Sequence, residues 1–278
     1  MSNDITIIAE IGINHNGDVN LAKKLMDMCK TCNVDLVKFQ KRDIKITTPK
    51  DMYNIKKDTK WGYINYIDYK KKLELDKKDY DEINEYSEAI GLDWFASAWD
   101  KNSLDFLNNY NLKYNKIPSA LLTNEELLKY VASNKKKTFI STGMSTLKDI
   151  DNAVEIFKSY NCPFVIMHCV GIYPCPDEFL NLKFIETIKN RYGCEVGYSG
   201  HAPGILDSTL AVMMGAKYIE KHVTLDSSMY GSDQASSLEK RGLEYTVRDT
   251  NRVSKMLGSG KKVLLEEEKI KLQTLKYW

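Results

Sequence analysis

Eight short runs of apolar and β-branched residues recur along the chain, at 5–11, 35–40, 93–99, 113–119, 137–141, 164–170, 195–199 and 216–224. Most are hydrophobic at both alternating sets of positions, the pattern of parallel strands covered on both faces. Helical patterns lie between them. Residues 19–32 place apolar side chains at 21, 22, 25, 26, 28 and 29 behind Asp18, an expected N-cap. Similar patterns cover 77–90 after Asp76, 101–110 after Asp100, 124–133 after Thr123 and 147–160 after Ser145 and Thr146. Residues 180–191, 204–215 and 239–257 complete the series. Strand and helix alternating eight times over about 250 residues predicts an α/β fold, a (β/α)8 TIM barrel, in preference to an open doubly wound sheet. No GxGxxG follows any strand, which speaks against a dinucleotide fold.

The bulk numbers agree. A chain of 278 residues with 43% hydrophobic content suits one large domain, and residues 1–278 are expected to form a single catalytic barrel with an insertion at about 41–76. Lys and Arg (40) nearly cancel Asp and Glu (38), so neither nucleic acid nor an acidic membrane is expected as a partner. The Lys runs 70–72 and 135–137 are expected to be solvated faces. No secretory leader and no apolar span of about 20 residues is visible, and the six Cys are scattered, so a cytoplasmic protein with reduced thiols is expected. Cys29 and Cys32 read as helix packing rather than a redox pair.

In a (β/α)8 barrel, catalytic groups sit at the C-terminal ends of the strands. Those ends carry Glu10 and the loop 12–17; Lys38 and Gln40; Ser97; Lys116 and Ser119; Ser141; His168 and Cys169, followed by Tyr173; Ser199 and His201; and Glu220 and His222. Two Lys and several Ser so placed suit a phosphorylated anion, because Lys supplies charge and Ser supplies hydroxyl donors. His201 stands in GYSGHAPG (197–204), a stretch of small and chain-bending residues. His222 ends the next strand, about 5 Å away across the ladder. Two neutral imidazoles at that spacing suit one divalent ion, with Mn, Mg, Fe, Co and Zn all open, and with room for water or substrate as a further ligand.

With these residues laid out, the chain resembles the sialic acid synthase (N-acetylneuraminate synthase) family. The matching segments are AEIGINHNGD (9–18), VKFQ (37–40), FISTGM (139–144), HCVGIYPCP (168–176), GYSGH (197–201) and IEKHVTLD (219–226). The resemblance implies a cytoplasmic transferase of carbohydrate biosynthesis. It would condense phosphoenolpyruvate (PEP) with a mannosamine-type aldose to a 3-deoxy-2-keto-nonulosonic acid and phosphate. It implies a divalent cofactor, Mn or Mg first, on His201 and His222. It implies PEP contacts from Lys38, Lys116, Ser119, Ser141 and Ser199, and sugar contacts from Gln40, Tyr173 and Asp233. Glu10, Lys38 and Glu220 are the catalytic candidates. A homodimer is also implied. The alternatives are a PEP–aldose synthase of the octulosonate type and a non-catalytic barrel that binds sugar or PEP.

The chain departs from the family pattern at several points. Gly171 stands where an Asn is frequent, Gly200 where an Asp is frequent, and Leu121 where a sugar-contacting Glu is usual. The segment 231–239 also differs. The sequence ends soon after the last helical pattern, so the family's C-terminal antifreeze-like domain, with its substrate-binding Arg, is expected to be absent. Altered recognition of the acceptor is expected. The insertion, with Trp61, Tyr63, Tyr66 and Tyr69, is expected either to close over the sugar as a lid or to pack on the barrel rim.

Overall fold

The computed structural model describes residues 5–278. Eight parallel strands close into a barrel: β1 (Thr6–Gly12), β2 (Leu36–Lys41), β5 (Asp93–Ala98), β6 (Asn115–Ile117), β7 (Thr138–Ser141), β8 (Phe164–Cys169), β9 (Glu195–Gly200) and β10 (Tyr218–His222). β3 and β4 belong to the excursion after β2. Each barrel strand pairs with the next in the chain, and β10 closes on β1 with Thr6 opposite Tyr218 and Glu10 opposite His222. The predicted (β/α)8 barrel is the observed fold.

Strict alternation divides the side chains into two populations. One set points outward against the helices. It includes Ile7, Ala9, Val37, Phe39, Trp94, Ile140, Ile166 and Ile219, all in the main core. The other set points into the barrel, where it splits by height. Its lower layer is apolar, with Ile8, Leu36, Phe95, Phe139, Val165 and Met167 packed together. Two residues further along the same strands stand Glu10, Lys38, Ser97, Ser141 and Cys169. The interior therefore has an oily base and a charged crown, and the strands are less uniformly hydrophobic than their sequence pattern implied.

The helices are α1 (Val19–Thr31), α4 (Lys77–Ile90), α5 (Lys101–Leu107), α6 (Glu125–Ser133), α7 (Leu147–Ser159), α8 (Phe184–Tyr192), α9 (Leu206–Met213), α10 (Lys240–Leu257) and α11 (Glu266–Leu275), with α2 and α3 in the excursion. Asp18, Asp76, Asp100 and Thr146 cap their helices as expected. Other boundaries differ. Asn124, not Thr123, caps α6, accepting from Leu127 N–H at 3.1 Å. The predicted helix at 180–191 starts only at Phe184, since Asn181 takes φ +44° after a 3-10 turn at Asp177–Phe179. The helix predicted at 204–215 starts after Gly204, which takes φ +89°. β6 is shorter than predicted because Pro118 has no N–H and Ser119–Leu121 turns into a 3-10 helix. α11 had no counterpart in the predicted pattern. Cys29 and Cys32 are both buried and unpaired, and burial pushes the Cys29 thiol up, consistent with packing.

The excursion between β2 and α4 is ordered. It contains α2 (Ile44–Thr47), a hairpin of β3 (Lys56–Thr59) and β4 (Gly62–Asn65), and α3 (Tyr66–Leu73). It docks on the loop after β1 and on the segment after β10. Lys60 Nζ donates to the Asn16 carbonyl at 3.3 Å, and the Trp61 ring lies 6.4 Å from Tyr230. Gly17 makes this docking possible. Its φ is +72°, and a Cβ there would sit 1.9 Å from the Lys72 carbonyl oxygen. Gly17→Ala is expected to lower stability by more than about 2 kcal/mol, since left-handed strain and a backbone clash combine. Urea unfolding checks it, and an unchanged midpoint would show that the excursion moves at no cost.

Candidate active site

The charged crown of the barrel opens into a cavity of about 510 Å3 at the C-terminal ends of the strands. This is the size class of small-molecule sites. Glu10, Lys38, Gln40, Lys116, Ser119, Ser141, Tyr173, Ser199, His201, Glu220, His222 and Asp233 all line it. These twelve residues are thus brought to one place, from six strands and the segments that follow four of the barrel strands.

Four buried charges form its floor. Lys38 Nζ lies 2.6 Å from Glu10 Oε2 and 3.6 Å from Glu220 Oε1. Lys116 Nζ lies 3.0 Å from Glu220 Oε2. All four side chains are at most 6% exposed. Hydroxyls complete the set. Lys38 donates to Ser97 Oγ at 3.2 Å and Lys116 to Ser141 Oγ at 2.7 Å. Ser199 Oγ donates to Glu220 Oε1 at 3.0 Å. Burial works against every one of these charges. For Glu220 the two lysines overcome it and hold the carboxyl down at about 2. For Lys38, Glu10 and Glu220 overcome burial and hold the ammonium above its ordinary value. For Lys116, burial prevails over Glu220 and the ammonium is pulled down.

The crown continues along two walls. Gln40 Nε2 donates to Glu10 Oε1 at 2.6 Å, placing the amide beside the buried carboxylate. His201 and His222 face each other with ring centroids 5.5 Å apart. The Val170 carbonyl lies 2.8 Å from His201 Nδ1 and assigns the proton there, leaving Nε2 a lone pair. Burial and then His222 pull His201 down to about 3, so it is neutral at physiological pH. His222 Nδ1 has no hydrogen-bond partner and stands 3.8 Å from Asp233 Oδ2. The Tyr173 ring packs on His201 at 3.9 Å. Among the described residues, no cluster of three or more His, Cys, Asp or Glu forms a complete ligand set.

The remaining two His are structural. His15 accepts from the Gly17 N–H at 3.0 Å, and His168 Nε2 lies 2.7 Å from the Leu180 carbonyl, away from the cavity. Of the pair ending β8, it is Cys169 that lines the cavity, as alternation requires.

The structure accounts for two of the sequence departures. A Cβ on Gly200 would lie 2.6 Å from Asp207 Oδ2 and 2.5 Å from the Tyr198 ring. The carboxylate expected to be lost at position 200 is therefore supplied from α9. Asp207 accepts from Tyr198 Oη at 2.9 Å and pairs with buried Lys221 at 3.0 Å. Lys221 also donates to the Ala202 carbonyl at 2.8 Å, next to His201. At Gly171, a Cβ would meet Met144 Cγ at 3.0 Å, so Met144 occupies that space. Leu121 does not line the cavity; it packs on the barrel core.

The cavity also holds residues that the sequence reading passed over, Arg42, Lys70, Trp99 and Met144. Lys70 corrects the expectation of a solvated Lys run: Lys71 and Lys72 are exposed, while Lys70 faces the cavity.

Comparison with known proteins shows the family of the chain. A (β/α)8 barrel with buried ammoniums and paired imidazoles at its strand ends has the build of an enzyme, and the NeuB family model matches residues 25–262. The chain belongs to the NeuB family. It is 38% identical over 95% of its length, and 80% of the relative's, to N,N'-diacetyllegionaminic acid synthase of Campylobacter jejuni. It is 35% identical over 93% of its length, and 73% of the relative's, to N-acetylneuraminate-9-phosphate synthase of Homo sapiens. The structure of N-acetylneuraminic acid synthetase from Leptospira borgpetersenii superposes with a TM-score of 0.88 at 32% identity, covering 99% of this chain and 93% of that one. No helix is long and apolar enough to cross a membrane among the described residues.

Glu220 is the common partner of both lysines. Glu220→Gln is expected to destabilise the fold by about 3 kcal/mol, because two buried ammoniums lose their shared counter-ion. Denaturant titration at neutral pH measures this, and a loss under about 1 kcal/mol would mean that water reaches the crown.

Proposed function

We propose that the chain condenses PEP with a mannosamine-type aldose, giving a 3-deoxy-2-keto-nonulosonic acid and inorganic phosphate. The observation that carries this reading is the floor of the cavity: two buried ammoniums, each beside a Ser hydroxyl, matched to a small dianion. Lys38 and Lys116 bind the carboxylate and phosphate of PEP, and Ser119, Ser141 and Ser199 donate hydrogen bonds to their oxygens. Glu220, held at about 2, stays ionised and fixes both lysines, a positioning role. Glu10, steadied by Lys38 and Gln40, is the carboxylate placed to orient or deprotonate water. Gln40, Tyr173 and Asp233 hold the sugar.

His201 and His222 suit a divalent ion. The neutral His201 ring faces that of His222, and His222 Nδ1 lacks a hydrogen-bond partner. Two imidazoles favour Mn over the harder Mg. When bound, the ion supplies Lewis-acid polarisation of the sugar aldehyde. The reading includes a homodimer, which sedimentation velocity checks.

The test is phosphate release from PEP with a panel of aldoses, followed by product mass. Release is expected to need both an aldose and Mn, to stop with a chelator, and to fall at least about a hundredfold in Lys116→Met and in the double variant His201→Ala/His222→Ala. Full activity in the double variant would exclude the metal site. No release with any hexosamine, hexose or pentose would exclude the reaction.

A further inference from the structure

Two cations in the cavity have no place in the reaction just described. Arg42 follows β2, Lys70 lies on α3, and both line the cavity. Among the described residues, neither forms an ion pair. The carboxylate that acts most strongly on Arg42, Glu74, is taken by Lys41 Nζ at 2.7 Å and by the Arg42 backbone N–H at 3.0 Å. The Arg42 guanidinium is stacked over Trp99 at 4.0 Å and donates to the Gln40 side-chain oxygen. Lys70 Nζ lies 5.4 Å from the Tyr66 ring centroid. Aromatic rings and one neutral amide orient these charges without cancelling them.

The two charges act on each other. Burial, then Arg42 and Lys57, pull the Lys70 ammonium down to about 8, with Asp233 and Glu74 working the other way. Burial lowers Arg42 as well. Glu74, Glu10 and Asp233 offset part of this for Arg42, but like charges held together inside a cavity without a direct ion pair are costly, and an arriving anion relieves that cost.

Their position says where the anion belongs. Lys38, Gln40 and Arg42 follow one another at every second residue along the end of β2. At about 3.3 Å per residue, Arg42 lies ~13 Å along the chain direction from Lys38. Gln40 is in hydrogen-bond contact with both Glu10 and Arg42. The PEP lysines are thus at one end of this row, the sugar-contacting amide in the middle, and the unneutralised cations at the other end.

We infer that Arg42 and Lys70 form an anion subsite that selects an acceptor aldose carrying a phosphate monoester at the end remote from its aldehyde. This rests on the condensation reading and specifies its acceptor. A phosphate dianion offers three oxygens and enough charge for one guanidinium and one ammonium, whereas a carboxylate leaves one cation uncompensated. The subsite comes from the excursion and the strand end that carries it.

The test uses the full chain with Mn and matched pairs: N-acetylmannosamine with its 6-phosphate, and mannose with mannose 6-phosphate. The phosphorylated member is expected to have a kcat/KM at least about tenfold higher, a ratio that falls by about tenfold in Arg42→Met and in Lys70→Met, through KM for the acceptor. Arg42→Lys is expected to keep part of the preference. The inference is overturned if the wild type does not prefer the phosphorylated member, if a hexuronic acid gains equally, if the variants leave the ratio unchanged, or if their loss falls on KM for PEP. If nothing is turned over, the condensation reading fails and calorimetry with mannose 6-phosphate decides the subsite alone. Binding that is lost in Arg42→Met/Lys70→Met upholds it. Absent binding, or equal binding in wild type and variant, overturns it.

Discussion

The ion cluster of Glu10, Lys38, Glu220 and Lys116 is the constraint on which the rest of the site depends. Each charge removed from water costs several kcal/mol, and only close pairing offsets it. Lys38 is held from two sides, by Glu10 at 2.6 Å and Glu220 at 3.6 Å, and Glu220 also carries Lys116 at 3.0 Å. These residues come from β1, β2, β6 and β10, so the cluster exists only if those strands meet in one register. A slip of one residue in β2 would turn Lys38 outward into the layer of Val37 and Phe39. Such a cluster is weak support for stability as such. Its value is that it presents two ammoniums, desolvated and oriented, at the mouth of a barrel.

Around this floor the fold makes local exchanges. Gly200 gives up a side chain, and Asp207, one helix later, places its carboxylate in the same space beside Tyr198 and Lys221. Lys221 then grips the Ala202 carbonyl, which steadies the segment bearing His201. Gly171 likewise yields to the thioether of Met144. Close packing explains both: a filled volume has one occupant, and which residue supplies it can change while the space does not. The excursion after β2 extends the same logic outward. Its docking through Gly17 and Trp61 brings Arg42 and Lys70 over the cavity that the barrel alone leaves open.

Much of this was legible in the chain. Period-two patterning and helix caps at Asp18, Asp76, Asp100 and Thr146 carried the architecture, because both are local signals. The site residues were legible because a barrel delivers every strand end to one face. What was not legible is instructive. Lys70 read as one of three solvated lysines, since helical periodicity within α3 says nothing of which face meets the barrel mouth. His168 and Cys169 were adjacent candidates, and only the inward or outward phase of β8 separates them. The loss of a carboxylate at Gly200 read as a chemical gap, because Asp207 returns to that point through a turn no pattern describes.

The sequence by itself determined the (β/α)8 architecture, the polarity of the strand ends and the strand-end residues of the cavity wall, since each follows from spacing along one strand or one loop. Only the tertiary structure decided how those groups are charged and paired. The low value of Glu220, the neutral His201, the replacement of Gly200 by Asp207 and the unpaired Arg42 and Lys70 arise from distances between residues far apart in the chain. Electrostatic interaction and desolvation depend on those distances and on burial, and neither is written in the order of residues.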